Sequence, residues 1–189
     1  LKDVHAIVLA AGAGARFGGG KLLAPWRGGV LLDGALDAAF AAPVQAVWVV
    51  VGADPHVAAY AARRGARIAE AADHALGLSA SLKAGIAALP RDAAGALILL
   101  GDMPLVPNAV LAPLVQAVLD GAPAAAPVRD GRQGNPAALS AALFPQILAL
   151  EGDRGARAVL DGLGRALARV RAPDDGIFLD VDRPGDVPV

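Results

Sequence analysis

Residues 5–21 read His5-Ala-Ile-Val-Leu-Ala-Ala-Gly-Ala-Gly-Ala-Arg-Phe-Gly-Gly-Gly-Lys21, and this stretch decides the fold class. Its first part, His5 to Ala10, is a short apolar run whose β-branched residues suit a strand buried on both faces. Its second part carries Gly12, Gly14, Gly18, Gly19 and Gly20 with only two charges, Arg16 and Lys21. Glycine permits left-handed backbone and close approach of a ligand, so consecutive N–H groups can converge on an anion. Arg16 and Lys21 add positive charge where a polyphosphate would lie. The stretch predicts a phosphate cradle at the C-terminal end of a first strand, the ligand edge of open α/β sheets.

Two better-known glycine motifs do not fit. The dinucleotide fingerprint G-x-G-x-x-G would need one residue fewer between Gly14 and Gly18. The Walker loop needs a glycine where Ala15 stands and a hydroxyl residue after the lysine, where Leu22 stands.

Composition narrows the class. Of 189 residues, 56% are hydrophobic but only 4% aromatic, so the expected core is Val, Leu, Ile and Ala packed between helices and a sheet. One domain spanning residues 1–189 is expected. The absence of cysteine excludes disulfides, thiolate metal sites and a cysteine nucleophile. A net charge of -1 argues against nucleic acid as a partner, which needs a basic face. No apolar run reaches the ~18 residues needed to span a bilayer, and no export pattern is visible at the start. The expectation is a cytoplasmic protein without a membrane partner.

Further along, Leu31 to Phe40 has helical spacing, and Gln45 to Val51 reads as a second buried strand. Asp54-Pro55 opens a helix with Asp54 as its cap, and Arg63, Arg64 and Arg67 close it as a solvated basic face. Residues 66–69 form a short strand. Ser79 and Ser81 precede an apolar-periodic run ending at Leu89, so either can cap a helix there. Together with Lys83 they would equally present an anion or nucleotide contact at that helix N-terminus. A serine nucleophile is disfavoured, because Gly77-Leu-Ser79-Ala-Ser81 lacks the final glycine of a nucleophile elbow.

Ala96 to Leu100 is a central strand running into Gly101-Asp-Met-Pro104. A carboxylate at the end of a buried strand is costly unless it meets a cation. Magnesium is commonly held by one or two carboxylates plus substrate phosphates, which makes Asp102 the first candidate metal ligand. A helix is expected over Pro107–Leu119 and a strand over Ala124–Val128. Arg129 to Pro136 is a polar loop, either a hairpin tip or an acceptor site, with Arg129 and Arg132 facing an anionic acceptor or solvent. Leu139–Leu150 reads as partly helical, and Glu151–Arg157 opens another helix with Asp153 as candidate cap and Arg154 and Arg157 near its first turns. The last strand is predicted over Ile177–Asp182, which would put Asp180 and Asp182 on one face. There they would hold a divalent cation or sit in solvent.

The ordered series Leu9–Leu23, Leu78-Ser-Ala-Ser-Leu82, Gly101-Asp-Met-Pro104, Gly134-Asn-Pro136, Gly152–Arg157 and Asp180-Val-Asp182 resembles the MobA-like NTP transferases. Within them it is most similar to the cytidylyltransferases of molybdenum cofactor maturation, the MocA type. The resemblance implies a three-layer, Rossmann-like nucleotidyltransferase fold with a mostly parallel sheet. It implies transfer of CMP from CTP to molybdopterin with release of pyrophosphate, Mg²⁺ as cofactor, and a molybdoenzyme as eventual recipient. Nucleotide binding would fall to Leu9, Ala10, Ala11, Gly12, Gly14, Arg16, Lys21, Ser79 and Ser81. Lys21, Arg16 and Asp102 would be catalytic, Asp102 and Asp182 would hold the metal, and Gly134, Asn135 and Arg157 would bind the acceptor. Alanine at position 11 goes with CTP in this resemblance, glycine there with GTP. Two departures stand in the last motif: Arg183 where threonine is common, and Gly185 where an acid is common. The competing readings are a guanylyltransferase, a transferase acting on another phosphorylated acceptor, and a non-catalytic protein that delivers a finished dinucleotide.

Overall fold

The computed structural model describes residues 3–12, 17, 19–73, 77–152 and 154–186. Strand β1 (Val4–Ala10) leads to a small hairpin of β2 (Pro25–Trp26) and β3 (Gly29–Val30), then α1 (Leu32–Ala41) and β4 (Val47–Val51). Next come α2 (Pro55–Arg63), β5 (Arg67–Glu70), α3 (Leu78–Ala88) and β6 (Gly95–Leu100). The second half holds α4 (Leu111–Leu119), β7 (Ala124–Arg129), β8 (Arg132–Gln133), β9 (Ala137–Ser140), α5 (Phe144–Leu148), α6 (Arg157–Leu160) and β10 (Leu167–Arg171).

The main sheet runs β10-β7-β9-β6-β1-β4-β5, with β8 paired to β7. β1 is parallel to both β4 and β6, β4 to β5, and β7 to β10. β9 is inserted antiparallel between β6 and β7, and the short β8 also pairs antiparallel with β7. Val4, Ala6, Val8 and Ala10 of β1 pack on one face with Leu36 of α1, Ala61 of α2 and Leu114 of α4. Ile7 points the other way, into a cluster with Leu82 of α3, Ile147 of α5 and Leu160 of α6. A strand apolar at every position but His5 is thus covered twice, which gives the expected α/β arrangement of a mostly parallel sheet between two helical layers.

The parallel half follows its sequence signals closely. Asp54 caps α2, its carboxylate accepting the His56 N–H at 2.9 Å. The basic end of that helix is less solvated than its charges suggest. Arg64 reaches back to α1 and pairs with Asp33 and with Asp37, the latter at 2.7 Å, while Arg63 lies over the Tyr60 ring.

One expectation is narrowed and two are corrected. The partly helical reading of Leu139–Leu150 holds for its middle, with a 3-10 turn over 141–143 and α5 over 144–148, while Leu139 and Ser140 belong to β9. Neither Ser79 nor Ser81 caps α3. Both lie inside its first turns, and Gly77 is the N-cap, in a φ 105°, ψ -175° conformation that favours glycine. The predicted final strand is absent: residues 179–182 form neither strand nor helix, and the last strand is β10, ten residues earlier in the chain. Asp180 and Asp182 therefore do not share a face by strand alternation.

Candidate active site

The chain passes from β1 to β4 on one side and returns through β6 on the other. This reversal opens a crevice at the C-terminal ends of β1 and β6. A cavity of about 380 Å³ occupies it, lined by Leu9, Ala10, Ala11, Gly12, Lys21, Leu22, Gly77, Leu78, Ser81, Leu100 and Asp102. The N-terminus of α3 opens onto this cavity through Gly77 and Leu78, bringing the positive end of the helix dipole to it, while the Ser79 N–H is given to the Gly152 carbonyl.

Asp102 is positioned by register. Leu9 and Leu100 are paired across β1 and β6, and Gly101 continues the ladder, its N–H donating to the Leu9 carbonyl at 2.9 Å. The turn that follows is pressed against α1. Gly34 there meets Pro104 so closely that a Cβ would lie 2.3 Å from the Pro104 carbonyl oxygen. That contact accounts for a glycine inside a helix, where it is otherwise unfavourable.

Lys21 arrives from the glycine loop. Gly19 and Gly20 take left-handed φ values of 93° and 63°, turning the chain so that a short 3-10 turn over residues 21–23 buries Leu22 and directs Lys21 inward. The Lys21 Nζ donates to Asp102 Oδ2 at 2.7 Å and lies 3.8 Å from Asp182 Oδ1. The Lys21 side chain is 12% exposed, against 26% for Asp102 and 45% for Asp182. Residues 102 and 182, eighty positions apart, thus bring their carboxylates to one ammonium. A backbone bond fixes the approach: Val181 N–H donates to the Asp102 carbonyl at 2.9 Å. Beyond it, Asp186 accepts the N–H groups of Asp182 and Arg183 at 3.2 and 2.8 Å, so an acid at 186 organises the turn that lacks one at Gly185.

The donor set fits a divalent cation such as magnesium or manganese. Two hard carboxylate oxygens converge, and no group of three metal-ligating side chains occurs among the described residues. Two carboxylates suffice when substrate phosphates complete the shell.

A second cavity, about 270 Å³, shares Leu9, Leu78 and Leu100 with the first and continues to Gln133, Gly134, Asn135, Gly155 and Arg157. The three residues expected at the acceptor therefore lie together, next to the first cavity. Gln133 joins them without having been singled out from the sequence; its only signal was its place in a polar loop between two glycines. Arg129 and Arg132 do not face this cavity. Arg129 donates to the Pro173 carbonyl and lies 2.9 Å from Asp175, and Arg132 stacks on Phe178.

Ser79 is likewise elsewhere. It lines a separate hollow with Lys83, Glu70 and Asp73, because residues two apart on a helix point in nearly opposite directions and Ser81 takes the crevice side. Gly14, Arg16 and Asp153 lie outside the described residues. A third cavity, about 320 Å³, flanks the glycine loop on the β4 side and is lined by Ala11, Gly12, Lys21 and Gly52 to Asp54.

An inward lysine and two acids meet at the switch point of an open α/β sheet, the edge where such folds bind their ligands. The family is shown by sequence: residues 6–171 match the MobA-like NTP transferase domain, and the chain belongs to that family of nucleotidyltransferases. No curated protein matches the sequence. Among solved structures, it is similar to a homologue of Mycobacterium tuberculosis Rv0371c from Mycobacterium sp. strain JC1, with 29% identity over 98% of this chain and 94% of that one, TM-score 0.84. Rv0371c itself, in complex with manganese, is 26% identical over 98% and 96% of the two chains, TM-score 0.79. A nucleotidyl transferase from Methanothermobacter is 25% identical over 97% and 94%, TM-score 0.82. No helix among the described residues is long and apolar enough to cross a membrane.

Proposed function

We propose that this chain transfers CMP from CTP to the phosphate of molybdopterin, releasing pyrophosphate and using magnesium. The observation that carries the reading is the meeting of Lys21 with Asp102 and Asp182 at the mouth of the glycine loop, beside a second cavity bearing Arg157. Family membership supports nucleotidyl transfer, and the resemblance of the motif series to molybdenum cofactor cytidylyltransferases supports the two substrates.

In this reading an acceptor phosphate oxygen attacks the α-phosphorus of CTP. The bond to the bridging oxygen of the β-phosphate breaks, and its electron pair leaves with pyrophosphate. The obstacle is repulsion between two anions. The N–H groups of the glycine loop and the positive end of the α3 dipole bind the triphosphate, and Lys21 turns its ammonium to the departing phosphates. Asp102 and Asp182 would hold the magnesium ion, which supplies charge neutralisation and alignment of the phosphates when bound. Asn135 and Arg157 orient the acceptor in the adjoining cavity. No covalent enzyme intermediate is required; the work is positioning and electrostatics.

The test is direct. The protein is incubated with molybdopterin, magnesium or manganese, and CTP, GTP, ATP or UTP singly, and the product is identified by mass. Molybdopterin cytosine dinucleotide with CTP is the expected product. The guanine dinucleotide would correct the base. Pyrophosphate release only with a different phosphorylated acceptor would overturn the acceptor. Tight binding of the finished dinucleotide with no pyrophosphate released from any triphosphate would favour cofactor delivery.

A further inference from the structure

Nucleotidyl transfer as read above needs Asp182 beside Asp102, yet Asp182 ends a segment whose regular structure is a single 3-10 turn over Asp175–Ile177, capped by the Asp174 side chain. Residues 172–182 cross the C-terminal edge of the sheet as a strap, buried at Ile177 and Val181, which are 0% and 1% exposed. Backbone bonds tie it at three points: Ala172 N–H to the Val128 carbonyl, Asn135 N–H to the Ile177 carbonyl, and Val181 N–H to the Asp102 carbonyl, each at 2.9 Å. The middle tie consumes the backbone donor of Asn135, leaving its side chain for the acceptor cavity. Space is equally tight. A Cβ on Gly176 would lie 2.0 Å from the Leu105 carbonyl oxygen, and one on Gly134 would lie 2.5 Å from that of Ile177.

The charged side chains that grip the first half of the strap come from one hairpin. β7 and β8 are joined by Asp130-Gly131, both left-handed with φ of 49° and 76°, the tight two-residue turn that places Arg129 opposite Arg132. Arg129 donates to the Pro173 carbonyl and sets its Nε 2.9 Å from Asp175, a contact of charge rather than an aligned hydrogen bond. Arg132 lies 4.4 Å from the centre of the Phe178 ring. The same hairpin continues into Gln133, Gly134 and Asn135, the acceptor-side cavity.

We propose that Arg129 and Asp175 are positioning residues. Their contact, reinforced by Arg132 on Phe178, fastens the strap to the hairpin and so sets where the Asp182 carboxylate stands relative to Asp102. The proposal rests on the nucleotidyltransferase reading. It explains why two arginines in a loop next to the acceptor cavity turn away from it. Arg129 and Asp175 are 34% and 67% exposed, so their attraction adds little to global stability, and its loss should appear in metal binding before it appears in melting.

The experiment titrates Mn²⁺ by electron paramagnetic resonance into protein carrying CTP or GTP, whichever wild type prefers, alongside steady-state pyrophosphate release. Asp175→Asn and Arg129→Gln should each raise the half-saturating Mn²⁺ concentration and lower kcat by about tenfold, the low end for residues that orient metal ligands. The KM for the triphosphate should stay within about twofold, since the glycine loop is untouched. Arg129→Lys, which keeps a charge for Asp175, should recover most of the metal affinity. Tyr60→Phe, remote on α2, should lower the Tm and leave the Mn²⁺ titration unchanged. Variants that lose only Tm, or bind Mn²⁺ like wild type, overturn the positioning role and leave the functional reading intact. Wild-type protein that takes up no Mn²⁺ with any triphosphate overturns both.

Discussion

Asp102 and Asp182 reach the same ammonium by different routes. Asp102 stands two residues past β6, whose six residues are all paired with β1 in one register. Asp182 ends a strap held by three backbone bonds and the arginines of a hairpin. A carboxylate at a strand end inherits the rigidity of the sheet. One on a strap depends on a few contacts that can be removed singly. The two acids of the site are therefore not equivalent, and substitutions should separate them.

The largest effect is expected at the sheet-borne acid. Asp102→Asn should lower turnover by about a thousandfold, the several kcal/mol attributed to a metal's charge stabilisation, while the Tm stays near that of wild type. Steady-state pyrophosphate release and a melting curve test both halves of the statement. Full activity at saturating Mg²⁺ would refute the assignment. Asp182→Asn should cost less, about ten- to a hundredfold, and part of the loss should be recovered at high Mn²⁺. An equal or larger loss than at Asp102 would invert the comparison.

Support of the sheet-borne acid can be attacked from behind. Gly34→Ala would drive a methyl group into the Pro104 backbone and should destabilise the protein by about 1–3 kcal/mol in urea denaturation. Because the turn it displaces carries Asp102, activity should fall at temperatures where the variant is still folded.

The opposite end of β1 yields the smallest effect. His5 is 3% exposed, and its Nδ1 has no hydrogen-bond partner. Burial, the largest cause, holds its pKa below 6.5; Asp3 opposes this, Arg67 adds to it, and Asp92 opposes it. A neutral His5 in the fold and a titrating one in the unfolded chain make stability complete above pH 6.5 and lost progressively as the pH falls below it. His5→Leu should flatten the dependence of urea stability between about pH 7 and 5. An unchanged slope would place the pH sensitivity elsewhere.

What the chain reveals before folding follows the same division. β1, β4 and β6 are apolar runs long enough to be read as buried parallel strands, and the glycine loop and Asp102 sit at their ends, so this part of the site was legible. The second half was not. β9 is an alanine-rich strand of four residues, Ala137–Ser140, with no alternation to distinguish it from a helix approach. β10, Leu-Ala-Arg-Val-Arg, hides an edge strand among arginines. Ile177–Asp182 looks like a strand because it is apolar where it is buried, but its hydrogen bonds go to loops rather than to a ladder. Arg129 and Arg132 could not be assigned from spacing, since their partners Pro173, Asp175 and Phe178 lie far along the chain.

The central claim is that residues 102 and 182 hold one divalent ion against a triphosphate bound by the glycine loop. It is tested most directly by a crystal structure of the protein with Mn²⁺ and CTP, using anomalous scattering to place the metal. The account predicts one manganese within about 2.0–2.6 Å of oxygens from both carboxylates and of the triphosphate, with Lys21 turned to the phosphates. A manganese bound to phosphates alone, or to Asp102 with Asp182 still on Lys21, would contradict it.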